Sequence, residues 1–257
     1  MEGLPLPSRP DLSGRRILLT GVSGSIGSIA ALGIAKAGAH VVLNGRDHGR
    51  LEKIATTLPT GSFSLAPFDL ANTEEIPAWV KTLAEKDGPF AGIAHAAGVQ
   101  VTKPLRQVDV AFIETIFNLN ITAGIMLGKG LRQKGCHTDP AALILIGGMA
   151  ARMFAASNVV YAASKGAVAA ATKAMGHELL RDNIRVNCIT PSLIKSDIAE
   201  RARQTLPKES WDFVVAKHPL GLGHPDDIAN AVVYLLSDQA GWMTGTDMTI
   251  DGGFRVA

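Results

Sequence analysis

Tyr161 and Lys165 stand four residues apart in the stretch YAASK, a spacing that brings two side chains to one face of a helix. A phenol of pKa about 10 is a poor acid or base at neutral pH unless a neighbouring cation stabilises its phenolate. An ammonium one turn away does this and keeps donors for a sugar hydroxyl. The chemistry on offer is proton transfer to or from an oxygen. Taken alone, the pair reads better as a common surface contact.

A second set of residues offers binding. Gly21, Gly24 and Gly27 lie in TGVSGSIG, after the apolar run RRILLT and at the head of SIGSIAALGIAKA. A glycine-rich turn between a first strand and a first helix lets the backbone approach a pyrophosphate. The helix N terminus then supplies free N–H groups and partial positive charge. The next apolar run ends in LNGRD. Where an NAD-preferring site carries a carboxylate for the ribose 2′-hydroxyl, Gly45 stands here. Arg46 follows, with a guanidinium able to pair with a 2′-phosphate. Arg46 as a plain loop charge, or Asp47 as the ribose-binding acid, are the alternatives, and the reading favours NADP(H) over NAD(H).

Both sets need a scaffold. Strand-like runs (RRILLT, HVVLN, SFSLAPF, AGIAHAA, AALILIG, IRVNCIT, DMTI) alternate with helical stretches, including long ones near 106–134 and 158–181 and others at 197–217 and 225–236. This alternation predicts an α/β doubly wound parallel sheet with helices on both faces. With 257 residues, 47% hydrophobic and 19% charged, the chain can bury one large core. No repeat or linker divides it, so a single domain over 12–257 is expected after an N-terminal arm at 1–11.

Composition also excludes function classes. A formal charge of +2 is no electrostatic footprint for nucleic acid. No uninterrupted apolar run approaches the roughly 18 residues of a membrane span, and MEGLPLPSRP lacks the pattern of a signal peptide. Cys136 and Cys188 are far apart, without metal-ligand spacing, and read as reduced thiols. A soluble, cytoplasmic protein without a metal site or membrane partner is expected.

In order and spacing, these motifs resemble the short-chain dehydrogenase/reductase family over nearly all of residues 12–254. TGVSGSIG resembles its cofactor loop, HAAG from His95 to Gly98 its NNAG motif, and NIT at Asn120 its catalytic asparagine. Tyr161 and Lys165 match the reactive pair, RVNCITPS resembles the RVNxxxPG segment, and LLSDQAGWMTGTDMTIDGG resembles the C-terminal signature.

The resemblance implies a Rossmann-fold oxidoreductase that passes a hydride between NADP(H) and a small-molecule carbonyl or secondary alcohol, with Tyr161 as general acid/base. It implies that Lys165 lowers the Tyr161 pKa and binds the nicotinamide ribose, and that Asn120 holds a water linking Lys165 to solvent. It places Gly21, Ser23, Ser25, Ile26 and Gly27 in the cofactor loop and Asp69 and Leu70 near the adenine. Ala96, Ala97 and Gly98 line the cofactor by backbone, and Pro191, Ile194 and Ser196 hold the nicotinamide. A substrate lid near 195–218, carrying Leu206, Trp211, Phe213 and Val214 among charges, and a homotetramer built on the long helices are implied likewise.

Four departures matter. Ser25 stands where the family's short branch has glycine. His95 and Ala96 replace two asparagines, and His95 reads as a packed structural histidine rather than a base. Ser192 replaces the glycine of Pro-Gly. The fourth lies in LILIGGMAAR: the family's catalytic serine, thirteen residues before the tyrosine, falls on Gly148. That serine's hydrogen bond to the substrate oxygen is worth roughly 3 kcal/mol. Ser157 or Asn158 can reach the substrate oxygen instead, or the substrate orients itself by other contacts. Alternatively, glycine makes room for a bulky substrate beside Met149, Met153 and Phe154. A catalytically weak NADP(H)-binding sensor or partner subunit with the same fold is the competing reading.

Overall fold

The apolar runs become β1 (Arg16–Thr20), β2 (His40–Asn44), β3 (Phe63–Leu65), β4 (Phe90–His95), β5 (His137–Ile146), β6 (Ile184–Pro191) and β7 (Asp247–Ile250). In this computed structural model, which describes residues 9–152, 155–205 and 207–256, they form one parallel sheet of order β3-β2-β1-β4-β5-β6-β7. Every residue of β4 is buried, as a parallel strand covered on both faces requires.

The helices are α1 (Ser25–Lys36), α2 (His48–Ala55), α3 (Ile76–Asp87), α4 (Val110–Phe117), α5 (Ala123–Leu131), α6 (Val159–Glu178), α7 (Asp197–Thr205), α8 (Lys208–Ala216) and α9 (Pro225–Leu236). One face of the sheet packs on Ile34 of α1 and Leu236 of α9. The other packs on Val80 of α3, Leu127 of α5 and Val168 of α6. Strand order reverses between β1 and β4, and a crevice opens at their C-terminal ends, where α/β sheets place ligands. Leu12 is fully buried and its N–H donates to the Ala37 oxygen at 2.8 Å. Of the expected arm, only residues 9–11 are described.

The long helical stretch expected near 106–134 forms over Val110–Leu131, with α4 and α5 joined by a turn of π-helix at Asn118–Thr122. Such turns recur at functional sites, and this one carries Asn120. Moreover Val110–Leu131, 22 residues of mean hydropathy 1.6, is long and apolar enough to cross a bilayer. Counting uninterrupted apolar residues missed it, because Glu114 and Lys129 break the run without lowering its average far. In the fold, Leu127 and Leu131 of this stretch are fully buried and pack against the sheet and α3. The helical segments expected in 197–217 are α7 and α8, with Pro207 at the N-cap of the second.

Candidate active site

The turn from β1 into α1 is shaped by glycines. Gly21 has φ +71°, and a Cβ there would lie 2.4 Å from the Ala97 nitrogen, so only glycine lets the turn press on the end of β4. A Cβ on Gly27 would lie 2.2 Å from the Gly21 oxygen. Gly24 is the N-cap of α1, which has no side-chain cap and no acidic residue in its first turn. The helix start is left with unsatisfied donors and its positive end bare.

Gly24 to Gly27 form one wall of a cleft of about 460 Å³. Ala96, Gly98, Pro191, Ile194, Ser196, Tyr161 and Lys165 line the same cleft. A bare helix N terminus opening onto a channel that ends at a phenol and an ammonium fits a dinucleotide. Gly21, Ser23, Arg46, Asp69, Leu70, Ala97, Asn120 and Ser157 do not line this cleft. Gly21 is covered by Ala97, and Leu70 packs into the core. Ser23 and Arg46 are exposed. Asp47 is committed to capping α2, accepting from the Arg50 N–H at 3.0 Å.

At the reactive end, Tyr161 is the third residue of α6 and Lys165 follows one turn later. The Lys165 Nζ lies 5.7 Å from the centre of the Tyr161 ring and donates to the Ile146 carbonyl at 2.9 Å. Burial pushes the Lys165 ammonium down to about 8 and the Tyr161 phenol up to about 12. The expected lowering of the Tyr161 pKa is therefore not found in this chain: the ammonium turns to Ile146, and desolvation of the phenol prevails.

Asn120 is buried and clamps the segment after β4. Its Oδ1 accepts from the Val99 N–H at 2.8 Å, and its Nδ2 donates to the Val99 oxygen and the Ser164 Oγ, both at 3.0 Å. A Cβ on Gly98 would lie 3.1 Å from the Asn120 Oδ1 and 3.6 Å from the Lys165 Nζ, so both groups border the space over Gly98. His95 is packed, as expected. Its Nε2 donates to the Leu119 carbonyl at 3.2 Å, which leaves Nδ1 to accept from the Thr20 hydroxyl at 2.8 Å. Burial, with the Lys165 charge adding to it, lowers its pKa to about 4.

Gly148 borders Tyr161. A Cβ there would lie 3.5 Å from the Tyr161 hydroxyl and 3.5 Å from the Lys165 Cγ. Its φ of 172° is extended backbone open to any residue. Gly147 is different: a Cβ would meet the Thr190 Oγ1 at 2.6 Å and the Cys188 Sγ at 2.8 Å. Met149 and Asn158 line the cleft; Met153, Phe154 and Leu206 lie outside the described residues.

Arg201 of α7 and Val214 of α8, both within the expected lid, line the cleft. Sequence reasoning missed two sets of contacts. His218 gives Nδ1–H to the Val214 carbonyl at 2.8 Å and accepts the Ser192 hydroxyl on Nε2 at 2.8 Å, so Ser192 ties the end of β6 to the end of α8. Arg152 reaches Asp247 at 2.6 Å and the Thr249 hydroxyl at 2.9 Å, and the Thr190 hydroxyl bonds the other Asp247 oxygen at 2.5 Å. None has a local spacing signal. Only the Ser192 departure from Pro-Gly pointed towards one of them.

Residues 21–255 match the profile of the enoyl-(acyl carrier protein) reductase family. The chain is 31% identical over 254 residues to D-erythrulose reductase of Gallus gallus, covering 96% of this chain and 99% of that one. It is 30% identical over 244 residues to the 3-oxoacyl-[acyl-carrier-protein] reductase FabG of Rickettsia felis, covering 95% and 98%. Among solved structures, the Pseudomonas aeruginosa RhlG/NADP complex superposes with a TM-score of 0.86 at 27% identity, covering 97% of this chain and 99% of that one. The fold and the site thus define a dinucleotide-binding oxidoreductase. The chain belongs to the short-chain dehydrogenase/reductase family.

Proposed function

We propose that this protein is an NADP(H)-dependent carbonyl reductase or secondary-alcohol dehydrogenase in which Tyr161 is the general acid/base. The observation that carries the reading is one cleft holding both the bare N terminus of α1 and the Tyr161–Lys165 pair. When bound, NADP(H) supplies or accepts the hydride. Gly24 to Gly27 offer backbone donors to its phosphates, and Pro191, Ile194 and Ser196 hold the nicotinamide end. Gly21 and Ala97 keep the loop in place, Ser23 belongs to that loop, and Asp69 and Leu70 sit towards the adenine. NADP(H) is favoured because Arg46 is exposed at the end of β2 while Asp47 is spent on the α2 cap. The RhlG neighbour, a complex with NADP, points the same way.

Tyr161 gives its proton to the carbonyl oxygen in reduction and takes it back in oxidation. Lys165, protonated below pH about 8, offers its remaining N–H donors to the ribose. Asn120 has both N–H groups committed to protein acceptors, so the space over Gly98 is where the free lone pair of its Oδ1 takes a water beside Lys165. Gly148 stands where the resemblance puts the family's serine, and the room it leaves belongs to the substrate along with Met149 and Asn158. Residues 195–218 act as a lid, as Arg201 and Val214 in the cleft wall suggest. A homotetramer is proposed from the exposed Val110, Ile113, Ile125 and Val159 on the long helices. A cytoplasmic setting suits the two free, buried cysteines.

One observation favours the competing reading, a weakly catalytic NADP(H)-binding protein: Gly148 has no side-chain donor. Steady-state oxidation of NADPH against a panel of ketones separates the two. Turnover is expected, falling about 10²- to 10⁴-fold in Tyr161→Phe while NADPH binding persists. Tight NADPH binding without turnover on any ketone, unaffected by Tyr161→Phe, would overturn the enzyme reading.

A further inference from the structure

We propose that His218 is a positioning residue: through Ser192 it pins the α8 wall of the cleft to the turn after β6. The residue so fixed is Val214, which among the described residues is the one of α8 that lines the cleft. That Val214 then bounds the substrate rests on the proposed function; the tie itself does not.

α8 has little of its own to hold it. None of its nine residues is buried, and Phe213 is 64% exposed. A helix without a buried face draws little stability from packing, yet Val214 keeps its place in the cleft wall. Its carbonyl accepts the Nδ1–H of His218 at 2.8 Å, so the bond grips the residue that meets the cleft. His218 in turn belongs to the body of the protein. It is 4% exposed, and its ring tilts against the Phe254 ring with 5.0 Å between centres. Two residues on, the Leu220 N–H donates to the Gly252 oxygen at 3.1 Å.

The two ring nitrogens give the tie its direction. A carbonyl only accepts, so Nδ1 carries the proton, and the neutral ring has Nε2 left for the Ser192 hydroxyl at 2.8 Å. Ser192 also lines the cleft. Its own N–H donates to the Ile250 oxygen at 3.0 Å, so the turn is anchored on β7 without help from the side chain. A glycine at 192 would keep that backbone bond and lose the tie. When the tie is cut, the turn therefore stays with the sheet and α8 is the part set loose.

Hydrogen exchange of the full chain, read by mass spectrometry with NADPH present, tests the tie. Ser192→Ala removes the donor, and His218→Asn keeps an N–H for the Val214 carbonyl but is too short to reach Ser192. Each is expected to speed exchange of the amides at 208–217 about 5- to 10-fold, the size of one hydrogen bond, and to leave β6 unchanged. The double variant is expected to do no more than either single one, since both cut the same bond. His218→Gln, whose amide oxygen reaches the place of Nε2, is expected to restore protection. On the ketone that the wild type turns over fastest, Ser192→Ala and His218→Asn are expected to raise KM about 5- to 10-fold. Their kcat should change less than about 2-fold, as for loss of uniform binding, with NADPH affinity kept. Wild-type exchange in both single variants, or losses that add in the double variant, overturns the tie. Faster exchange with KM unmoved overturns the positioning role. If the wild type turns over no ketone, the proposed function falls, and the exchange comparison alone upholds or overturns the tie.

Discussion

The Lys165 ammonium nitrogen lies 2.9 Å from the main-chain oxygen of Ile146, so the reactive helix is bonded to the last residue of β5, one step before Gly147. That bond holds the ammonium in a buried place, and burial brings its pKa down to about 8. Measured as kcat/KM for NADPH, which reports the free protein, activity should be retained below this value and fall as pH rises through it. In Lys165→Arg the guanidinium stays charged, and that alkaline limb should disappear from whatever activity remains. A wild-type profile flat to pH 10 would refute the assignment.

His95 gives a stability prediction. Its folded pKa is about 4, against 6.5 for the ordinary group. Between these values the unfolded chain takes up a proton that the folded chain refuses. The associated stability is therefore complete above pH 6.5 and is lost as pH falls towards 4, with about 2 kcal/mol going between pH 7 and pH 5. Urea unfolding at those two pH values should show this loss in the wild type and much less of it in His95→Asn. Equal losses in the two proteins would count against it.

The two glycines at the end of β5 should respond oppositely to the same change. Gly148→Ser meets ordinary contact distances and unstrained backbone, so its Tm should stay within about 2 °C of wild type. With a donor restored beside Tyr161, kcat on a small ketone should rise about 10-fold. Gly147→Ser drives its Cβ into Thr190 and Cys188 and should cost about 1–3 kcal/mol. Thermal melts and turnover read both; unchanged turnover in Gly148→Ser would mean that the absent donor is not limiting.

Arg46 tests the choice of cofactor. Arg46→Ala removes the guanidinium at the end of β2 and should weaken NADPH binding about 10-fold or more, with NADH binding little changed. Fluorescence titrations with the two nucleotides decide it. A parallel loss for both would leave Arg46 as a loop charge.

Much of this was legible in the chain because it is periodic or local. DMTI and the 225–236 helix fall where β7 and α9 form, and Tyr161 and Lys165 share a face because one helical turn separates them. Asn120 was found by its distance from HAAG, yet the π turn that carries it was not, since its neighbours Ile121 and Ala123 continue an apolar helical pattern without a break. The reorientation of Lys165 towards Ile146 depends on a main-chain oxygen, which has no sequence signature. The same holds for the buried, unpaired oxygen of Asn158: asparagine before a helix predicts a cap, and only packing shows that the cap is not made.

Arg152 and Asp247 are 95 residues apart, and their bond joins the segment after Gly148 to the first residue of β7, while Thr190 brings the end of β6 to the same carboxylate. Asp247 is only 8% exposed at its side chain, so removing its cation leaves a largely buried charge. The last strand is therefore not an interchangeable part. A chimera whose grafted C-terminal segment lacked a carboxylate at 247 would leave Arg152 without this partner. Recombination within the family would have to exchange the two segments together to keep the reactive edge in place.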